Sequence, residues 1–364
     1  MGEGTVASAA AVGPPPGMAV RLSSNESPFG PSPAAIDAMQ TLAADAHLYP
    51  DDQSVALRDA LARLESVPVE RIVVGTGSAG NLMDLIEHEC INGAGPGEVL
   101  TFDRAFIVYK LAAQAVLARL VEAPLGENCH RDPDALLERV TDDTRVVAID
   151  NPANPTGDHL SGEELRHLIT ALPEHVTIVV DEAYHQFAVG QRGYATVAEL
   201  GLDHPRLCVV RTFSKAYALA GLRVGYLTGP PDLVAAVDTD RVRFNANAMA
   251  HAAAVAALGD SAHLERTVTG TLEGRARMAD GLRELGVPFV DGLGNFLQIE
   301  LGEPSGPIVE AYAGHGVGVR PLAPYRLGEQ IRVSVGTPEE VDVFLEASAK
   351  ILADVASRTR RFSR

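Results

Sequence analysis

The densest group of residues able to do covalent chemistry lies in segment 212–223, which follows a short apolar run. It contains one lysine, Lys215, directly after Ser214, one arginine, Arg223, and a further hydroxyl at Thr212. A lysine amine condenses with an aldehyde only when it is unprotonated, a state that burial and a nearby cation favour. Hydroxyls and a guanidinium can bind a phosphate. The segment therefore predicts a nucleophilic lysine beside the phosphate site of an anionic, covalently bound cofactor.

Two other apolar runs end in polar residues that could complete such a site. One run ends at Asp181, with Tyr184 three residues later, and the other is followed by Asn-Pro steps at 151–152 and 154–155. A buried carboxylate such as Asp181 can pair with a protonated pyridine nitrogen, which keeps the ring an electron sink. The residue before a proline is extended or turned, so the second segment predicts a tight loop. Tyr184 and Asn154 are candidates to contact the phenolic oxygen of the ring.

The elements that must position these residues follow from the pattern of the first 250 residues, where β-branched runs alternate with amphipathic stretches. This rhythm predicts an α/β fold with a mostly parallel sheet, whose ligands bind at the carboxyl ends of the strands. Ser161 and Glu164 form a capping-box signature at the start of one helix. The predicted strands are 71–74, 98–102, 145–149, 176–180, 207–210 and 225–227, and the predicted helices include 53–65, 81–91 and 163–171.

The pattern changes beyond about residue 250. A long helical stretch precedes predicted strands at 295–301, 318–322 and 330–335, and a final helix follows Pro338. This ending favours a smaller α+β domain. We therefore expect three parts, which are an N-terminal arm and substrate-entrance segment (1–30), a large cofactor-binding domain (31–250) and a small C-terminal domain (251–364).

Composition restricts the partners and the compartment. The 30 basic and 48 acidic residues give a net charge of −18, which repels nucleic acid and anionic membrane surfaces. No run of about twenty apolar residues or signal peptide is apparent, so we expect no membrane segment and a flexible arm over the first seventeen residues. Cys90, Cys129 and Cys208 are widely separated, and no two histidines share ligand spacing. We expect reduced thiols, no metal site and a cytoplasmic protein.

A glycine-rich turn permits a second interpretation of the chemistry. Gly75, Gly77 and Gly80 lie between a predicted strand and a predicted helix, which is also the pattern of a dinucleotide-binding turn. Asp103, at the end of the next strand, would then be the ribose ligand. A nicotinamide enzyme of this kind would leave Lys215 without a role, so it is the lesser alternative.

The segments around Asn154, Asp181 and Lys215 resemble those of the fold-type I aminotransferases that use pyridoxal 5'-phosphate, and within them the histidinol-phosphate aminotransferase branch. The resemblance covers nearly the whole chain, from LSSNESPFGP at 22–31, through Tyr49-Pro50-Asp51, to IRVSVG at 331–336. It implies an aspartate aminotransferase-like fold and a homodimer with shared active sites. It also implies a small-molecule amino donor and a 2-oxo acid acceptor as substrates.

The resemblance further implies a role for each matching residue. Lys215 would form the Schiff base and transfer the substrate proton, and Asp181 would pair with the ring nitrogen. Arg332 would hold the substrate carboxylate at two points, as a lysine could not, while Arg320 is a candidate for a second anionic group and Asn25 lines the substrate entrance. The other implied cofactor contacts are Phe106 on the ring, Tyr184 and Asn154 at the phenolic oxygen, Ser78, Ala79, Thr212, Ser214 and Arg223 at the phosphate, and Tyr49 at the phosphate of the partner subunit.

Departures from the branch bear on the substrate. Ala79 and Gly80 follow the serine where the branch has acidic residues, Phe106 stands in place of tyrosine, and Arg243 in place of a common proline. The substrate therefore stays open between an amino acid and an amino-alcohol phosphate, with secondary metabolism included. Since one fold supports several reactions, a decarboxylase, a β-eliminating lyase or a decarboxylating deaminase is the alternative. A non-catalytic cofactor-binding protein is a third hypothesis.

Overall fold

The computed structural model describes residues 19–91, 97–126, 130–202 and 204–352. The predicted flexible arm, Cys129 and the last twelve residues of the predicted C-terminal domain lie outside the described residues. The strands are β1 Val20–Arg21, β2 Ile72–Gly75, β3 Glu98–Phe102, β4 Arg119–Ala123, β5 Thr144–Asp150, β6 Thr177–Asp181, β7 Leu207–Thr212, β8 Gly225–Thr228, β9 Phe289–Val290, β10 Phe296–Glu300, β11 Val317–Gly318, β12 Arg320–Leu322 and β13 Leu327–Ser334.

The helices alternate with the strands through the first part of the chain. They are α1 Pro33–Leu42, α2 Val55–Glu65, α3 Gly77–Ile91, α4 Ile107–Ala115, α5 Pro133–Leu137, α6 Gly162–Ala171, α7 His185–Ala188, α8 Val197–Leu200, α9 Pro231–Asp240, α10 Ala248–Gly259, α11 Ser261–Leu285, α12 Ser305–Gly314 and α13 Pro338–Ile351. None of the described helices is long and apolar enough to cross a membrane.

A seven-stranded sheet in the order β2-β8-β7-β6-β5-β3-β4 forms the centre of the molecule. The strands from β7 to β4 run parallel, whereas β8 is antiparallel to both β2 and β7. The prediction of a mostly parallel sheet is therefore confirmed, and its six predicted strands lie within two residues of the observed bounds. The edge strand β4 was not predicted, because its charged Arg119 and Glu122 hide its apolar residues.

Helices cover both faces of this sheet because successive residues of a strand point to opposite sides. Val146 and Ala148 of β5 pack in one cluster with α3, while Val147 and Ile149 pack in another with α6. The predicted capping box at the start of α6 is present, since the Ser161 side chain accepts from Glu164 N–H and the glutamate accepts in return. These buried strands hold their carboxyl ends side by side.

Helix α3 begins at Gly77, four residues before the predicted start at 81. Glycines at 77 and 80 weaken the local helix signal. The start is set by packing instead. A Cβ on Gly225 would lie 2.6 Å from backbone atoms of Gly77 and Ser78, so only a glycine there lets the first turn of α3 lie directly against β8.

The last part of the chain forms a four-stranded antiparallel sheet in the order β12-β13-β10-β9, packed with α11, α12 and α13. The predicted strand at 318–322 is wrong as a single element, since β11 pairs with β1 and β12 pairs with β13. The predicted long helical stretch is two helices, because Asp260 caps α11 by accepting from His263 N–H. The predicted domain boundaries at 30 and 250 stay predictions.

Candidate active site

A cavity of about 230 Å³ opens at the carboxyl ends of the parallel strands. The strands β5, β6 and β7 each end at it, as expected for an open α/β sheet. Ten of the residues predicted from the sequence line it, namely Ser78, Ala79, Phe106, Asn154, Asp181, Tyr184, Thr212, Ser214, Lys215 and Arg223.

Lys215 extends into the cavity from the loop that follows β7. Its Nζ donates a hydrogen bond to the Ser24 carbonyl oxygen at 3.3 Å and lies 5.7 Å from the centre of the Tyr184 ring. Burial of the amine, and next the guanidinium of Arg332, lower the pKa of Lys215 from 10.5 to about 8. A substantial fraction of this amine is therefore unprotonated near neutral pH, which is the form that attacks an aldehyde.

Asp181 closes the floor of the cavity at the end of β6. Its side chain is buried, and the only hydrogen bond that it receives from the described residues comes from Ala183 N–H at 3.0 Å. Burial, and next the charge of Asp150, raise the pKa of Asp181 from 3.8 to about 8. A buried carboxylate without a cationic partner is costly. A protonated ring nitrogen is the kind of partner that would complete it.

The residues predicted to bind phosphate converge in the same cavity. Ser78 lies in the first turn of α3, where free N–H groups and the helix dipole favour an anion. Thr212 Oγ1 donates to Ser214 Oγ at 3.0 Å, and Arg223 Nη1 lies 3.4 Å from the same oxygen. Hydroxyls, a helix N-terminus and a guanidinium thus surround one point.

Tyr184 and Asn154 border the space between the lysine and the aspartate. Tyr184 is buried and its hydroxyl accepts from Asn25 Nδ2 at 2.9 Å, while burial raises its pKa to about 12. The hydroxyl therefore stays protonated and can donate. Asn154 Oδ1 accepts from Arg332, which leaves its Nδ2 as the donor of the side chain. Asn25 is itself held by Ser334, whose hydroxyl donates to Asn25 Oδ1 at 3.1 Å.

Arg332 and Arg320 border an adjoining cavity that shares Phe106, Asn154, Tyr184 and Lys215 with the first. Arg332 is buried on β13 and donates to Asn154 and, at 3.1 Å, to the Ser23 carbonyl oxygen. Its Nε is buried without a partner among the described residues. Arg320 is exposed and donates to Ser23 O at 2.9 Å. The inner guanidinium thus retains an unused donor, and the outer one lies at the rim.

Comparison with known proteins decides the family. Residues 18–347 match the class I and II aminotransferases. This chain belongs to that family. It is 42% identical over 338 residues to histidinol-phosphate aminotransferase 2 of Methylococcus capsulatus, covering 92% of this chain and 90% of the relative. It is 41% identical over 331 residues to an aromatic amino acid aminotransferase of Thermobifida fusca, covering 91% and 90%.

Solved structures of aminotransferases share the fold. The histidinol-phosphate aminotransferase of Sinorhizobium meliloti in complex with pyridoxal-5'-phosphate is 30% identical, with a TM-score of 0.83 over 94% of this chain and 92% of that chain. The aspartate aminotransferase of Thermus thermophilus with maleate has a TM-score of 0.80 at 23% identity and covers 92% and 91%. The predicted fold type and resemblance are confirmed. The chain is an aminotransferase whose cofactor is pyridoxal 5'-phosphate, so the decarboxylase and lyase alternative is not favoured.

Tyr49 is the one predicted site residue that does not border either cavity. Its ring is 83% exposed and stacks on Phe244, with 4.7 Å between the ring centres. Asp52 fixes this arrangement, because its carboxylate accepts from Phe244 N–H at 2.6 Å and pairs with Arg243 at 3.0 Å. The aminotransferase therefore presents Tyr49 to solvent.

The alternative chemistries lack support among the described residues. Asp103, the ribose ligand of the nicotinamide hypothesis, is paired with Arg326 and does not line the cofactor cavity. His185 is half-buried and hydrogen-bonded to the Glu182 carbonyl oxygen, and desolvation lowers its pKa to about 3. His251 contacts Ser54 Oγ at 2.9 Å. No cluster of potential metal ligands occurs in the described ranges.

Sequence reasoning missed one pair beside the site. Asp150 lies in the cavity wall and forms a buried ion pair with Arg131, at 2.6 Å from Nη2 to Oδ1. Arg131 is in a loop 19 residues away, after a segment with no strand or helix signal. The only available hint was an aspartate at the end of an otherwise apolar strand, the same signal that identified Asp181.

Proposed function

We propose that this aminotransferase acts on amines that carry both a flat ring and an anionic group, a class that includes aromatic L-amino acids and L-histidinol phosphate. The observation that carries the proposal is the buried Arg332, whose Nε has no partner among the described residues and which borders a cavity partly lined by apolar side chains. The apolar part of that lining consists of Phe106, Ile107, Pro321, Pro324 and Tyr325. Both kinds of substrate appear in the names of relatives.

Arg332 supports an anion site by its position and its charge. Burial lowers the pKa of its guanidinium from 12.5, yet the neighbouring hydroxyls of Tyr184 and Tyr325 oppose that change. An anionic substrate group would restore the charge balance of the buried arginine. Arg320 at the rim offers a second cation, which suits the higher charge of a phosphate. The acceptor in the second half of the reaction is a 2-oxo acid whose carboxylate uses the same arginine.

The proposed catalytic roles follow from the geometry. Pyridoxal phosphate supplies an aldehyde that takes up the substrate amine and a ring that withdraws electrons from the α-carbon. Lys215 Nζ would hold the aldehyde in the absence of substrate and, once released, would be the base that moves the α-proton. Asp181 would pair with a protonated ring nitrogen. Tyr184 and Asn154 would donate hydrogen bonds to the phenolic oxygen.

The remaining roles concern binding. Phe106, at the start of α4, would cover one face of the ring. Ser78 and Ala79 on α3 would hold the phosphate together with Thr212, Ser214 and Arg223. A glycine at position 225 lets the first turn of α3 lie against β8 and so positions these amides, because a Cβ there would lie 2.6 Å from Ser78 N. Asn25 orders the substrate entrance through its bond to Tyr184.

We also propose a homodimer in which Tyr49 binds the phosphate in the partner subunit. Its exposure and the rigid support from Phe244 and Asp52 favour an intermolecular role. Leu48 and Val242, exposed by 59% and 75%, add apolar surface around it, which a second copy would cover. A cytoplasmic location is proposed with it, supported by the unpaired thiols of Cys90 and Cys208.

Single-turnover experiments test the substrate proposal. The holoenzyme is mixed with L-phenylalanine, L-tyrosine, L-histidinol phosphate or L-alanine, and loss of the visible band of the lysine-bound cofactor is followed with the matching oxo product. We expect at least one ring-bearing amine to react about a hundredfold faster than L-alanine. Arg320→Gln should slow the phosphate substrate more than the amino acids. Equal rates with L-alanine would contradict the proposed substrate class.

Mixed dimers test the shared site. Tyr49→Ala and Lys215→Ala are each expected to be strongly impaired. In a heterodimer of the two variants, one site combines an intact Lys215 with an intact Tyr49 from the partner. Random mixing should therefore restore about a quarter of wild-type activity, since half of the dimers carry one good site out of two. No recovery on mixing would show that Tyr49 does not act across the interface.

A further inference from the structure

The buried pair of Asp150 and Arg131 lies directly behind the proposed cofactor site. Asp150 is the last residue of β5 and is the register partner of Asp181 on the adjacent parallel strand. The side chains of the pair are only 4% and 2% exposed. The Arg131 guanidinium also packs on the Phe102 ring, 5.3 Å from its centre. Loss of one partner of such a buried pair leaves an uncompensated charge and is therefore costly.

The second oxygen of Asp150 connects two separate segments of the site. Asp150 Oδ2 accepts Asn154 N–H at 2.9 Å and Phe106 N–H at 3.2 Å. Asn154 belongs to the loop after β5, whereas Phe106 begins α4 after β3. One carboxylate thus fixes the backbone of both residues, and the ion pair with Arg131 fixes the carboxylate.

The charge of Asp150 also acts on its neighbour. It is the second cause, after burial, of the raised pKa of Asp181. Burial raises the pKa of Asp150 itself, but Arg131 and Asn154 N–H oppose that rise. Among the groups that face Asp181, Glu182 adds negative charge and Lys215 adds positive charge. The net field behind Asp181 favours a cation in the cavity.

We propose that Asp150, held by Arg131, is a positioning residue that aligns Asn154 and Phe106 with the cofactor ring and adds negative charge behind Asp181, so that the ring nitrogen binds in its protonated form. The inference rests on the roles proposed above for these three contact residues. It assigns a function to a pair that would otherwise be only a structural ion pair.

The test uses Asp150→Asn with a matched control. An asparagine cannot accept at both positions, since its amide N–H₂ would face either Arg131 or the two backbone donors. The control is Glu89→Gln, which removes a carboxylate from the Glu89–Arg206 pair (2.5 Å) outside both cavities. The measurements are the dissociation constant of pyridoxal phosphate from the apoprotein, the pH midpoint of the bound visible band, and the thermal midpoint.

We expect Asp150→Asn to weaken cofactor binding by about tenfold or more, the usual effect of losing a charge-assisted contact, and to shift the pH midpoint of the band. Glu89→Gln should leave both unchanged even where it lowers the thermal midpoint. Loss of thermal stability in Asp150→Asn with cofactor affinity within twofold of wild type would overturn the proposal.

A second variant covers failure of the first to fold. Arg131→Gln combined with Asp150→Asn removes both charges together, which a buried site tolerates better than one unpaired charge, and the same weakening of cofactor binding is expected. Failure of both variants to fold would make the pair a requirement of the fold and would overturn the proposal. Asp181→Asn is measured in parallel. If it also leaves affinity and spectrum unchanged, the proposed role of Asp181 fails instead.

Discussion

The lowered pKa of Lys215 predicts how the rate of cofactor uptake by the apoprotein depends on pH. An ordinary lysine with a pKa of 10.5 is about 0.03% unprotonated at pH 7, whereas a pKa of about 8 gives roughly 10%. The reactive population is thus about 300-fold larger. The rate of condensation with pyridoxal phosphate should rise tenfold per pH unit below pH 8 and level off above it.

Arg332→Gln tests what lowers the pKa of Lys215. Burial is the largest cause of the lowered pKa of Lys215 and the charge of Arg332 is second, while Glu26 and Asp181 oppose it. Removal of the guanidinium therefore recovers only part of the lowering of the pKa, because burial, its largest cause, remains. The bend in the rate profile should move up by on the order of one pH unit, with uptake at pH 7 slowed by roughly tenfold.

Stopped-flow absorbance of the visible band gives these rates directly. Arg277→Gln is the control, because Arg277 pairs with Asp342 on the exposed surface and should leave the profile unchanged. A wild-type bend near pH 10, or an Arg332→Gln profile that coincides with the wild type, would refute the reasoning.

Three further predictions concern binding and stability. Arg332→Lys should raise the KM for a carboxylate substrate by about a hundredfold with a smaller change in kcat, because an ammonium cannot form the two-point contact; steady-state kinetics measure this. Gly225→Ala should weaken cofactor binding by at least about tenfold, since its Cβ would lie 2.6 Å from Ser78 N, while Gly259→Ala, with open space, should not; equilibrium titration measures both. The pKa of Asp181 is about 8 in the folded protein, above its ordinary value of 3.8. The free energy of unfolding of the apoprotein should therefore fall by on the order of a few kcal/mol as the pH rises from about 4 to 8. Asp181→Asn should remove this pH dependence in urea titrations.

Each of these has an outcome that would contradict it. A raised KM with an equally lowered kcat would place Arg332 in the chemical step. Equal cofactor affinity in both glycine variants would show that Gly225 does not shape the phosphate site. Parallel pH slopes in wild type and Asp181→Asn would assign the slope to other groups.

The features that could be predicted from the sequence are those set by residues close together in the chain. The apolar runs before Asp181 and Thr212 became β6 and β7 because a parallel sheet buries both faces of its strands. The segment around Lys215 was recognisable because its reactive residues are close in sequence. The capping box at Ser161 likewise depends on residues three positions apart.

Features set by distant partners could not be predicted in this way. Val317 in β11 and Arg320 in β12 are only three residues apart, yet they join different sheets because β11 pairs with β1 from the far end of the chain. Arg131 reaches Asp150 only in the folded chain. Burial alone was enough to suggest an unprotonated Lys215. The nearby charge of Arg332, 117 positions later in the sequence, is brought to the lysine only by the folded chain.

The measurement that tests the central claim most directly is a single-turnover experiment with absorbance and product analysis. Holoenzyme reconstituted with pyridoxal phosphate is mixed with one equivalent of a ring-bearing amine substrate. We predict that the visible band of the lysine-bound cofactor is replaced by the band of pyridoxamine phosphate, with one equivalent of oxo product, and that Lys215→Ala shows neither change. Release of carbon dioxide or of a β-substituent without pyridoxamine phosphate, or full turnover by Lys215→Ala, would contradict the account.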